Sequence, residues 1–230
     1  MTATLSKCRR DAMKDTNKDI DRKLLEAQVA INNARTDGEI KQYLTEYGYD
    51  EARLAAGKSL LNSASQLHQT QKRVYAEKVG ASKDFSDSRK EANGVYINLI
   101  KLSRIALQED YAAYLKLGLA GGRKTNLSGW LVQARQFYDN ALKDTATMAK
   151  LKKFGGTQAK IEAGKALIET VERKKQEKEI ESGEAQQATV ERDMAVEELQ
   201  QWMRNFKAIA RIALEDKPQL LEKLGILIRS

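Results

Sequence analysis

Ala52–Leu60 reads ARLAAGKSL and Ala159–Leu167 reads AKIEAGKAL, an offset of 107 positions. Outward from there the same offset recurs without a gap. Arg104–Leu107 and Arg211–Leu214 both read RIAL, and Lys116–Gly118 and Lys223–Gly225 both read KLG. Pairing 23–119 with 130–226 gives 97 pairs, of which 24 are identical. Chance at this composition gives roughly 6–7%, so the chain reads as a tandem duplication. Most residues held in both copies are small, apolar or helix-ending, such as Leu24, Ala27, Ala34, Leu44, Gly48, Ala56, Gly57 and Leu60. The main polar ones are Asn33/Asn140, Asp37/Asp144, Lys58/Lys165, Gln69/Gln176, Asn98/Asn205 and Arg104/Arg211. Packing positions recur more visibly than reactive ones, as a scaffold requires.

Each copy reads as helices. Leu24, Ala27, Ile31, Ala34 and Leu131, Ala134, Tyr138, Ala141 form an apolar helical stripe. Asp19 and Asn126 are the expected N-caps, which leaves 1–18 as a polar tail. A short helix follows, stopping at Gly48 and Gly155, where a left-handed residue fits. Asp144-Thr145 stands in place of Asp37-Gly38, so copy two is expected to run straight through that junction. Asp50 and Thr157 head a long helix whose far end in copy two, ERKKQEKEIESGE at Glu172–Glu184, is polar. With Gly80 and Ser182-Gly183 as breakers, this predicts a turn and a long antiparallel hairpin with a solvated tip. A competing reading is one continuous rod of about 65 residues. A short closing helix, opened by Pro218 in copy two, ends at Gly118 and Gly225. The expected fold class is all-α, a duplicated helical bundle. Its expected divisions are the tail 1–18, unit 19–120, a Gly-rich joint 121–125 and unit 126–230.

Composition excludes several functions. The 230 residues include 40 Lys+Arg, 32 Asp+Glu, one Cys and one His, for a net charge of +8. Residues 1–120 carry 20 basic and 16 acidic side chains, so the charge divides evenly. No stretch approaches the roughly 18 apolar residues of a membrane span. The first 19 residues lack the apolar core of a signal peptide, so a cytoplasmic location is expected. Cys8 alone builds no disulfide framework, and His68 alone argues against most metal sites and catalytic triads. Gly57-Lys58-Ser59 resembles the end of a phosphate loop, but Ala52 stands where that motif needs Gly, and the tripeptide lies within a helix. Close packing is the better account: small residues one turn apart let a neighbour approach. No metal, cofactor or enzymatic activity is expected.

The candidate interaction residues are Arg104, Arg211, Tyr43, Tyr47, Tyr111, Tyr114, Trp130 and Trp202. Arg104 and Arg211 precede acidic pairs at a helix end, suited to a carbonyl clamp on the closing helix or to a partner's carboxylate or phosphate. The aromatics supply rigid amphipathic area for core or interface. The leading functional expectation is a non-catalytic structural or assembly protein that self-associates or scaffolds protein partners. One alternative is a basic adaptor for nucleic acid or another anionic surface, since Arg9-Arg10, Arg123-Lys124, Lys152-Lys153 and Arg173-Lys174-Lys175 form local clusters. Another is a helical-bundle carrier of a small ligand.

Overall fold

The computed structural model describes the backbone of residues 2–226 and the side chains of residues 17–226. The side chain of Cys8 therefore lies outside the described residues. Among those described there are eight helices and no strand: α1 (Thr2–Thr36), α2 (Gly38–Glu46), α3 (Glu51–Ala106), α4 (Tyr111–Lys116), α5 (Leu127–Lys143), α6 (Thr145–Lys153), α7 (Gln158–Ala213) and α8 (Pro218–Lys223). The bounds of α2, α3 and α4 recur at a spacing of 107 in α6, α7 and α8. The chain is all-α.

Local chemistry sets most helix ends. Asp37 and Asp144 accept from the second and third backbone N–H groups of α2 and α6. Asp50 and Asn126 cap α3 and α5, through Arg53 N–H at 2.9 Å and Gly129 N–H at 2.7 Å. Gly48 and Gly155 take φ of +79° and +83° and stop α2 and α6. Gly118 and Gly225 do the same for α4 and α8, and the following residues turn back: Leu119 N–H donates to Tyr114 O and Ile226 N–H to Leu221 O. Both returning side chains are buried.

Four expectations are corrected. First, α3 and α7 are continuous helices of 56 residues, without a hairpin turn. Gly80 and Gly183 keep ordinary negative φ, and an interior Gly costs only about 1 kcal/mol relative to Ala. The chain's one proline is at 218, outside both helices, so nothing else breaks them. The polar stretch is no solvated tip, since Lys174 bridges Glu177 and, from the other long helix, Asp84 at 3.2 Å. Second, α1 extends back to Thr2, so Asp19 is not the N-cap of this helix. Asp19 lies inside the helix, paired with Arg22 and Lys23 at 2.5 and 2.6 Å. Third, Asp144 interrupts the chain between α5 and α6, because its side chain caps α6. Fourth, the compact units do not follow the sequence repeat. Unit 1 is 1–74 with 185–230, and unit 2 is 75–184. The uninterrupted long helices cause this, since each gives one half to each unit, and the joint 121–125 falls inside unit 2.

In unit 1 the core joins Ala27, Ile31 and Ala34 of α1, Leu54 and Leu61 of α3, Leu199, Phe206 and Ala210 of α7, and Leu220, Leu221 and Leu224 at α8. Trp202 stacks on Phe206 at 5.2 Å and meets the edge of Tyr49. A Cβ added at Gly57 would run into the Trp202 ring. In unit 2 the core joins Tyr96 and Leu99 of α3, Trp130, Phe137 and Tyr138 of α5, and Ile161 and Ile168 of α7. Here a Cβ at Gly164 would lie 2.5 Å from Tyr138. The two glycines, 107 apart, thus admit different aromatic rings. Full burial of one large apolar side chain stabilises by about 1.5–3 kcal/mol, so these clusters carry much of each unit.

Candidate functional site

The polar residues that recur in the sequence have structural work to do. Asn33 donates to Lys223 O at 2.6 Å in unit 1, and Asn140 donates to Lys116 O at 2.6 Å in unit 2. Asp37 pairs with Lys223 at 2.8 Å, and Asp144 stands 3.8 Å from Lys116. The Lys223 ammonium, with the Ile40 and Glu39 N–H groups that Asp37 caps, holds the Asp37 carboxyl below its ordinary range. Lys58 reaches Asn32 at 3.1 Å, and Lys165 reaches Asp139 at 2.7 Å. Each of these contacts recurs at a spacing of 107. In unit 1 the closing helix α8 is tied to α1 and to the cap of α2, and in unit 2 the closing helix α4 is tied to α5 and to the cap of α6. Lys58, within α3, is thereby engaged, and Gly57 beside it faces an aromatic ring, so neither forms a phosphate loop.

The predicted interaction residues separate into three groups. Arg104 is a carbonyl clamp: its Nη2 donates to Leu119 O at 3.1 Å and Gly121 O at 3.4 Å. Arg211 is exposed. Trp130 and Trp202 belong to the two cores, the first buried and the second partly buried. Tyr43 and Tyr114 are partly buried against the cores, whereas Tyr47 and Tyr111 are exposed. Tyr111 stacks on Tyr114 with ring centroids 6.3 Å apart. The structure does not gather these residues into one site.

A different set does recur on the surface. Leu25 and Val132, Tyr47 and Phe154, and Ile105 and Ile212 are three pairs spaced by 107, and all six residues are 45–66% exposed. Unit 1 carries Leu25, Tyr47 and Ile212, and unit 2 carries Val132, Phe154 and Ile105. In unit 2, Ile105 and Phe154 line one surface cleft of about 410 Å³ together with Glu109, Asp110, Lys150 and Lys153. The helix ends that lead to the two aromatics differ in charge, although Lys150 is paired with Asp110. Phe154 follows Lys150, Lys152 and Lys153 in the last turn of α6, whereas Tyr47 follows Glu46 in a last turn of α2 that has no base. Only Ile105/Ile212 of these pairs is identical in sequence, so identity did not single them out. Exposure did.

His68, noted in the sequence only for being alone, is buried. His68 is 1% exposed and its Nε2 lies 3.0 Å from Asp21 Oδ1, which also accepts from Lys72 at 3.0 Å. Burial pushes the His68 pKa below its ordinary value, against the opposing effect of the hydrogen bond that Asp21 accepts. In unit 2, burial pushes Tyr96 up to about 12 and Tyr138 upward as well. Both phenols are thus neutral near pH 7. Among the described residues no group of three or more His, Cys, Asp or Glu side chains is placed to hold a metal ion. No described helix is long and apolar enough to cross a membrane. In comparisons with known proteins, no family model, no curated protein and no solved structure matches the chain.

Proposed function

We propose that this is a non-catalytic structural or assembly protein that joins copies of itself head to tail, unit 1 of one copy against unit 2 of the next. The observation that carries this reading is the triplicate of exposed apolar pairs spaced by 107. Folding of one chain gives no reason for Leu, Tyr, Phe or Ile to stay in water at matched positions of both units. Burial in an interface gives one, at about 1.5–3 kcal/mol for each side chain fully covered.

Charge favours a second copy as the occupant. A surface with lysines beside Phe154 and a surface with Glu46 beside Tyr47 complement one another. Two like surfaces meeting would set lysine against lysine or acid against acid. A contact between unlike surfaces is heterologous, so it continues into a chain of copies or closes into a ring.

Light scattering over a concentration series tests this. Mass is expected to rise with concentration. Lys152→Glu/Lys153→Glu is expected to lower the mass, and adding Glu46→Lys to restore part of it. A mass that stays at one chain throughout the accessible range would refute the reading.

A further inference from the structure

A cleft of about 460 Å³ in unit 2 is lined by four cations, Arg89 and Lys90 of α3 with Arg123 and Lys124 of the segment before α5. No carboxylate lines it. Elsewhere in the unit bases stand against acids, as in Lys150–Asp110, Lys165–Asp139 and Lys174–Asp84. Like charges gathered in one concavity repel one another and raise the local potential, and a bound anion relieves this.

The cleft is also organised. Arg89 Nη2 donates to Thr125 O at 2.9 Å, and its guanidinium lies 5.9 Å over the Trp130 ring. That fixes the planar fork while leaving its other N–H groups available. Ser86, Asn93 and Thr125 add a hydroxyl, an amide and a second hydroxyl to the lining. Trp130 is 3% exposed and lines the same cleft, and its Nε1 donor has no acceptor among the described residues. The four cations do not recur in the sequence. At positions 107 away the four cations become Val196, Glu197, Thr16 and Asn17.

We propose that this cleft binds a small phosphate-bearing anion of diphosphate or short polyphosphate size. Phosphate suits the lining because an arginine fork engages two of its oxygens while lysines act as point charges. Four cations and a volume in the range of small-ligand sites call for more than one phosphate group. A nucleic-acid strand is disfavoured, because single strands stack bases on open aromatic faces and Trp130 is covered.

Isothermal titration of the full chain with sodium tripolyphosphate, at low and at physiological salt, tests the site. Saturable binding is expected, with one ligand per chain. Arg123→Ala/Lys124→Ala, at two exposed positions, is expected to weaken it at least about tenfold. Arg89→Lys keeps the charge and loses the fork, and is expected to weaken it as well. Lys101→Ala/Lys143→Ala removes the same charge from exposed positions outside the cleft and outside the proposed contact surface, and is expected to leave affinity within about twofold. No saturable heat, or equal weakening by both double variants, would overturn the proposal. So would a single-stranded oligonucleotide that binds more tightly than tripolyphosphate and loses that binding in Arg123→Ala/Lys124→Ala, since the occupant is then nucleic acid.

Discussion

The Lys150 ammonium donates to the Asp110 carboxylate at 2.6 Å in unit 2, and the positions 107 away hold the exchanged chemistry. There Lys217 stands in the place of Asp110 and Tyr43 in the place of Lys150, with the ammonium 5.0 Å from the centre of the Tyr43 ring. Lys217 also pairs with Glu39 at 2.5 Å. An ion pair in one unit and a cation–ring contact in the other thus fasten the same joint between closing helix and short helix.

This exchange predicts coupling. Lys217→Asp alone sets a carboxylate against Glu39 and removes the cation from the ring, so the melting temperature is expected to fall. Adding Tyr43→Lys rebuilds the unit 2 arrangement. The double variant is expected to lose less than the two single losses added together. Strict additivity in denaturant melts would show that the two positions do not meet.

Glycines at two kinds of site are expected to respond in opposite directions. Gly80 and Gly183 lie inside continuous helices, and a Cβ at either meets nothing within 4 Å. Gly80→Ala and Gly183→Ala should each stabilise by about 0.5–1 kcal/mol. Gly57→Leu forces the Trp202 ring aside and should cost roughly 1–3 kcal/mol or more. Thermal melts compare all three. Loss of stability in Gly80→Ala would be the mark of a turn there.

His68 is the chain's one histidine, which isolates its titration. Its folded pKa is lowered, first by burial and further by the charges of Lys72 and Arg192, while Asp21 opposes. The unfolded chain therefore takes up this proton first. Stability is complete above the ordinary histidine value of about 6.5 and declines as pH falls below it. The Asp21 carboxyl is itself held low by Lys72 and His68 in spite of its partial burial, so it keeps its charge across that window. Melting temperature is expected to drop between pH 7 and pH 5.5, roughly the range of histidine titration. His68→Gln, which can still donate to Asp21, should flatten that part of the profile. A flat profile in the unaltered protein would contradict the burial argument.

Much of the fold was legible along the chain because its signals are local. Gly48, Gly118, Gly155 and Gly225 mark helix ends, since a positive φ strains any other residue. The stripe Ala27, Ile31, Ala34 and its counterpart Ala134, Tyr138, Ala141 lie in the cores as the helical period requires. The candidate surface was much less legible. Trp130 and Trp202 suited core or interface alike in the sequence, because an aromatic residue fits both places, and both pack against the cores. The apolar pairs Leu25/Val132 and Tyr47/Phe154 differ in identity between copies, and only solvent exposure distinguishes them from core positions of the same kind. The basic cleft joins residues 86–93 to residues 123–130. Spacing along the chain does not reveal that meeting.

The sequence by itself determined that the chain is helical, where most short helices stop, and which polar positions recur 107 apart. These depend on backbone strain, capping and helical period, all of which act over a few residues. Tertiary structure decided how the halves are combined. Gly80 and Gly183 sit in the path of two helices whose neighbouring turns outweigh the small local cost of each glycine. Because those helices do not turn back, each core is completed by segments distant in sequence, and the compact units cut across the repeat. A penalty of about 1 kcal/mol at one position marks a turn only when packing does not oppose it.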